Sequence, residues 1–205
     1  MMRWNWLPEF ESPPKGWSVK PFTSIATVLA GQSPPSDLYN SRSVGLPFLQ
    51  GNADFGEVSP KPTVWCSAPS KVAPAGSSLI SVRAPVGEIN RADQAYGIGR
   101  GLAALTATGV DPEFLHHALF RWRKPLQRIG QGTTYDAITA HHFRELLVLV
   151  PNDPEEQRAI GRAFADVNTT LDTVRCEVVA LERLGLALLQ NVVTGRVRVE
   201  MDSVK

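Results

Sequence analysis

One stretch constrains this chain more than any other. From Glu155 to Val193 there is no proline, and Gly161 and Gly185 are its only glycines. Apolar residues recur there at Ile160, Phe164, Val167, Leu171, Val174, Val178, Leu181, Leu188 and Val192, in steps of 4, 3, 4, 3, 4, 3, 7 and 4. Alternating threes and fours are the spacing of a coiled-coil seam, held here for about four and a half heptads. The seven-residue step skips Gly185, which permits close backbone approach or marks a local break. Pro154 suits the first turn of a helix, Glu155 and Glu156 sit favourably beside its positive end, and Thr194-Gly195 closes it. The spacing predicts a rod of about 58 Å. A preceding domain of about 150 residues is only about 30–35 Å across. It cannot cover such a seam, and the chain has no second heptad segment. Self-association as a two-fold homodimer is the expectation, the alternative being a helix shared between its own domain and a different protein.

Texture changes near Pro151. Fourteen of the sixteen prolines lie before it, scattered with glycines among short apolar runs. Leu46–Leu49, Ser78–Val82, Gly101–Leu105 and Leu146–Val150 are such runs, and they read as strands of an irregular, strand-rich domain. One helix interrupts them. Asp111 supplies an N-cap and Pro112 the first helical position. Phe114, Leu115, Ala118, Leu119 and Trp122 then share a face over 112–124, and Pro125 ends or kinks the helix. The expected architecture is α+β: a head over 1–153, a coiled-coil helix over 154–195 and a tail over 196–205.

Charge and composition exclude several classes. No apolar run approaches the ~18–20 residues of a membrane span, and the first residues lack the apolar core of a signal peptide, so a soluble cytoplasmic protein is expected. Cys66 and Cys176 stand far apart without a CxxC, which disfavours a zinc site or a disulfide framework. The net charge of +1 hides an asymmetry: residues 15–144 carry a surplus of five basic groups, residues 145–205 a deficit of three. A basic front and an acidic tail point to different partners for the two regions.

Catalytic signatures fail. Gly99-Arg100-Gly101-Leu102-Ala103-Ala104 fits GxGxxA, but it follows a poor strand and has no acidic residue at the required offset. There is no GxSxG, HExxH or Walker motif. His116-His117 and His141-His142 are adjacent pairs whose members point in different directions on a helix, so neither chelates by itself; surface and capping roles are the simpler reading. Asn152-Asp153-Pro154 lacks the second proline and aromatic of an amino-methyltransferase motif and reads as a helix cap. What remains fits nucleic-acid contact. Arg121, Arg123, Lys124 and Arg128 surround Trp122, although helix-dipole stabilisation would also favour basic residues there. Gly130-Gln131-Gly132-Thr133-Thr134-Tyr135 follows, and Arg83 ends a strand before a rigid turn.

The order of these pieces resembles a specificity (S) subunit of type I restriction-modification systems. The resemblance is carried by Pro14-Lys15-Gly16-Trp17, Gly31-Gln32-Ser33-Pro34, Leu46–Asn52, Arg83-Ala84-Pro85-Val86-Gly87, Gly99-Arg100-Gly101-Leu102, Gly130–Thr134 and Pro151–Gln157, and it spans roughly 14–196. It implies a target recognition domain reading half of a bipartite DNA site, followed by a helix that spaces the domains and docks methyltransferase subunits. Family members carry two such units, so this chain resembles a half-subunit form whose homodimer, antiparallel by the family's geometry, would read an interrupted palindrome. The resemblance implies no catalytic residues here: S-adenosylmethionine, ATP and Mg are expected only on the methyltransferase (M) and restriction (R) partners. From loop chemistry, the expected DNA contacts are Gln32, Ser33, Gln50, Asn52, Arg83, Gln131, Thr133, Thr134 and Tyr135, with Lys124 and Arg128 on phosphates. The rival readings are a recognition module of a single-chain restriction-methylation enzyme, a coiled-coil adaptor with a protein-binding head, and a histidine-based metallohydrolase.

Overall fold

The computed structural model describes residues 12–131 and 138–198. Its strands, in chain order, are β1 (Trp17–Pro21), β2 (Ala26–Ala30), β3 (Tyr39–Asn40), β4 (Leu46–Leu49), β5 (Val64–Cys66), β6 (Val72–Ala73), β7 (Ser78–Ser81), β8 (Ile89–Arg91), β9 (Tyr96–Ile98), β10 (Leu102–Ala107) and β11 (Leu147–Pro151). Its α-helices are α1 (Pro112–Phe120), α2 (Arg123–Gln131), α3 (Ala140–Arg144) and α4 (Pro154–Val193). The chain divides into two units, one ending at Arg162 and one beginning at Ala163.

Within the first unit, β2-β10-β7-β8 form an antiparallel sheet and β3-β5-β4-β9-β6 a mixed one, in which β4 and β9 run parallel. Strands β1 and β11 pair antiparallel from Trp17↔Pro151 to Pro21↔Leu147. The central strands β7 and β10 are buried on both faces, and period-two alternation divides their residues between two cores. Ile80, Ala103 and Leu105 face a core shared with Phe114, Leu115, Leu119, Trp122, Phe143 and Val150. Leu79, Leu102 and Ala104 face the other core, shared with Leu49, Tyr96 and Ile98 of the mixed sheet. Burial on both faces is why Leu102–Leu105 reads as an unbroken apolar run.

The first helix departs from the sequence expectation. Asp111 caps α1 as expected, its Oδ1 accepting from the amides of Glu113 and Phe114 at 3.0 Å. The helix stops at Phe120, however, and a new one starts at Arg123. Pro125 is the third residue of α2. A proline is tolerated in a first turn, because the amide it lacks would have no intrahelical acceptor there. Trp122, at the break, is 1% exposed and belongs to the core.

Helix α4 begins inside the first unit. Glu155 N donates to Asp153 Oδ1 at 2.9 Å, which caps it. Gln157, 5% exposed, ties three elements together: its Oε1 accepts from Asp111 N at 2.9 Å and its Nε2 donates to Pro151 O at 2.8 Å. Trp17 Nε1 donates to Glu156 at 3.0 Å, and Asn152 N to Gly16 O at 2.8 Å. Gly161 lets α4 pass close to the start of α1, since a Cβ there would lie 2.7 Å from Glu113 Cβ. Ile160 packs on the main core. The first residue of the heptad series therefore serves the head.

From Phe164 on, the series is exposed: Leu171, Val174, Val178 and Leu188 are 47–52% accessible. The hydroxyls of Thr169, Thr170 and Thr173 bond carbonyls four residues back at 2.9–3.0 Å, which reconciles these residues with a helix interior. The helix ends at Val193, and Gly195 takes the left-handed conformation (φ 69°) that the closing turn requires.

Candidate nucleic-acid interface

Three loops far apart in sequence meet around one turn, Gly99–Leu102, between β9 and β10. Gly99 N donates to Leu49 O at 2.8 Å, which fixes the loop after β4. Gly31 N donates to Leu102 O and Gln32 N to Ile98 O, both at 2.9 Å, which fixes the loop after β2. Val82 N donates to Gly101 O at 2.9 Å, which fixes the end of β7. Glycine is required where these backbones touch. A Cβ on Gly31 would lie 2.1 Å from Gly99 O, and one on Gly101 would lie 2.4 Å from Gln50 O.

These contacts gather residues that the sequence scatters. Gln50, Asn52 and Arg83 line a single cavity of about 250 Å³, together with Gly51, Ala84, Arg100 and Gly101. Gln50 and Arg83 are exposed and Asn52 half-buried. Gln32 and Ser33 are exposed on the adjoining loop, where Ser33 Oγ accepts from Arg100 N at 3.4 Å. Arg100 is the functional candidate that loop chemistry missed. Its signal is the Gly-Arg-Gly string itself: Gly101, where a Cβ would lie 2.4 Å from Gln50 O, and the tightly approached Gly99 flank a charged side chain at the rim.

The turn carrying Arg83 is braced from both sides. Ser81 Oγ donates to Pro85 O at 2.6 Å and accepts from Glu88 N at 2.9 Å. Gly87 has φ 84°, and a Cβ on it would stand 3.1 Å from Arg123 O of α2. Arg123 itself pairs with Glu88 at 2.5 Å, so this member of the basic cluster is committed to joining α2 to the turn. Lys124 and Arg128 are exposed on α2. Gln131 is the last residue of that helix, and its side chain lies outside the described residues, as do Thr133, Thr134 and Tyr135. Ile138 N donates to Val82 O at 2.7 Å, beside Arg83.

The histidines have local roles. His116 is 9% exposed, and its Nδ1 lies 2.9 Å from Ser78 Oγ. Burial, with Arg91 and His117 nearby, lowers its pKa to about 3, so the ring is neutral. Burial also lowers that of His117. His142 Nδ1 accepts from Thr139 N at 3.0 Å, capping α3. Among the described residues no three His, Cys, Asp or Glu side chains gather as metal ligands would. No described helix is long and apolar enough to cross a membrane.

Comparison with known proteins defines the class. The profile of the type I restriction modification DNA specificity domain matches residues 14–182. The chain belongs to that family. It is 35% identical over 175 residues to the putative type I restriction enzyme MjaX specificity subunit of Methanocaldococcus jannaschii, covering 84% of this chain and 41% of that protein. The HsdS subunit of Thermoanaerobacter tengcongensis superposes with a TM-score of 0.70 at 38% identity, over 87% of this chain and 45% of that one. A chain from a structural study of the assembly and conformational transition of a type I R-M system gives 0.73 at 39% identity, over 87% and 46%. An S subunit from M. genitalium, at 16% identity and a TM-score of 0.63, shares the fold. The chain thus spans less than half the length of each of these relatives.

Proposed function

We propose that this chain is the DNA-reading, non-catalytic component of a type I restriction-modification complex. In this reading the head recognises one half of a bipartite site in duplex DNA, in the cytoplasm. The long helix presents the head to methyltransferase and restriction subunits, which carry S-adenosylmethionine, ATP and Mg. The observation that carries the reading is the convergence of the Gln50, Arg83 and Arg100 loops on one exposed, basic cavity, with the Gln32 loop bonded to the same turn, in a chain of this family. Loops held by a rigid sheet are where binding chemistry concentrates. Gln32, Ser33, Gln50, Asn52 and Arg83 are the proposed DNA contacts, with Lys124 and Arg128 proposed to meet phosphates. Gln131, Thr133, Thr134 and Tyr135 remain proposed contacts from the sequence.

Fluorescence anisotropy with random-sequence duplex DNA tests this. The expected result is binding that weakens steeply as salt rises. No binding at low salt would overturn the proposal and favour the protein-binding adaptor.

The exposed seam from Leu171 to Val192 supports a second element of the proposal, a homodimer through α4. The other described helices run nine residues or fewer, too short to cover it. A second copy of the same helix matches its length and spacing.

A further inference from the structure

We infer that the cavity between Arg83 and Arg100 seats a single backbone phosphate of the DNA and does not read a base. This rests on the proposal that the head binds DNA, and it assigns a chemical role to one site within that surface.

Three observations carry it. The first is charge. Arg91 and Arg123 of the same head are both held in ion pairs, at 2.7 Å and 2.5 Å, whereas neither Arg83 nor Arg100 has an ion-pair partner among the described residues. The nearby carboxylate of Asp54 is turned into its own loop. Its Oδ2 accepts from Gln50 N at 2.6 Å and Gly51 N at 3.3 Å, so it organises the rim and forms no ion pair with either arginine. The second is composition. Both cationic groups are guanidiniums, planar forks suited to phosphate oxygens, and Gln50 and Asn52 add neutral amide donors.

The third is shape. Base edges lie on the floor of a groove about 8.5 Å deep in duplex DNA, so side chains that read them must protrude. A cavity receives what protrudes from the duplex, and the outermost group is the phosphodiester. Preorganisation agrees with this. The Gly99–Leu102 turn bonds directly to the residues before Gln50 and Arg83, so the backbone positions that carry the two arginines are fixed relative to one another.

The test compares the full chain with Arg83→Gln, Arg100→Gln and the corresponding Arg→Lys variants. Two measurements are needed: the salt dependence of binding to random-sequence duplex, and base preferences obtained by selection from a randomised duplex library. The expected result is a slope of log K against log salt reduced by no more than about 0.9 by either Arg→Gln change and by about 0.9 in all when both are combined, with the selected motif unaltered. The Arg→Lys variants should keep the slope, since a lysine still neutralises a phosphate. An altered motif with an intact slope and no rescue by lysine would mean base reading and overturn the inference. An unchanged slope and an unchanged motif would overturn it too, by removing the cavity from the contact surface. Absence of salt-dependent binding by the unmodified chain would instead fell the DNA-binding proposal, and this inference with it.

Discussion

In the unit ending at Arg162, Leu79, Ile80, Leu102 and Leu105 are fully buried. In the unit beginning at Ala163, Leu171, Val174, Val178 and Leu188 are each about half exposed. The side chains are alike; what differs is how each stretch acquires neighbours. A strand buried on both faces finds them through long-range pairing within its own chain, so the stability of the head is independent of concentration. In the proposed homodimer the seam of the second unit gains its burial by association, so the stability of the rod would follow mass action. Ile160 and Gly161 mark the changeover within one continuous helix. They pack on the head, whereas Leu171, one heptad spacing beyond Phe164, is 47% exposed.

The sharpest way to break this comparison is to charge the seam. Leu171→Asp combined with Val174→Asp would place four unpaired carboxylates in the apolar contact of a dimer, at several kcal/mol each. Light scattering should report the mass of a single chain, while the thermal midpoint of the head stays where it was. An unchanged mass would show that the seam makes no such contact. A lowered midpoint would show that head and rod share stability after all.

A smaller effect is expected on the other side of the comparison, from His116. Its folded pKa of about 3 lies below the unfolded value of 6.5. Below pH 6.5 the unfolded chain takes up a proton that the folded head refuses. Stability should therefore fall as pH drops from 6.5 towards 3, at about 1.4 kcal/mol per pH unit, and be fully present above 6.5. The double change His116→Phe with Ser78→Ala removes the titrating ring without stranding the Ser78 hydroxyl. Urea titrations at pH 7 and pH 5 should show the loss of stability between the two reduced by about 2 kcal/mol, and an unchanged loss would mean that the ring titrates normally in the fold. Association through the rod should not respond to this change.

Legibility in the sequence followed the same divide. The runs Leu46–Leu49 and Ser78–Ser81 were readable as strands and the heptads as a helix, because local pattern dictates them. The break at Arg121–Trp122 was not readable. A rule that proline ends helices is blind to a chain that stops early and restarts with Pro125 in a first turn. Nor could heptad spacing say that Ile160 faces the head, since periodicity names a face and not its neighbour. For the site, the loops bearing Gln32, Gln50 and Arg83 were each identifiable by composition. Their meeting around Gly99–Leu102 depends on β4 pairing with β9 and β10 with both β2 and β7, contacts that span dozens of residues. Arg100 was passed over because its glycines were weighed as a nucleotide motif instead of as close backbone contacts.

The two glycines of α4 give the finest discrimination, and the smallest effect. Gly161 is pressed against α1, whereas a Cβ on Gly185 would meet nothing within 4 Å. Gly185 also occupies the place in the heptad series that the seven-residue step leaves empty. A glycine in a helix interior costs about 1 kcal/mol relative to a good helix former. Gly185→Leu should therefore raise helicity by circular dichroism and, by completing the seam, tighten association by about 1–2 kcal/mol in sedimentation equilibrium. If the partner helix approaches so closely at this point that only a glycine fits, the same change will loosen the dimer. The direction of the shift thus reports whether Gly185 is a gap in the seam or a contact point of two backbones. In either case the head should unfold as before, because its cores contain no residue of the second unit.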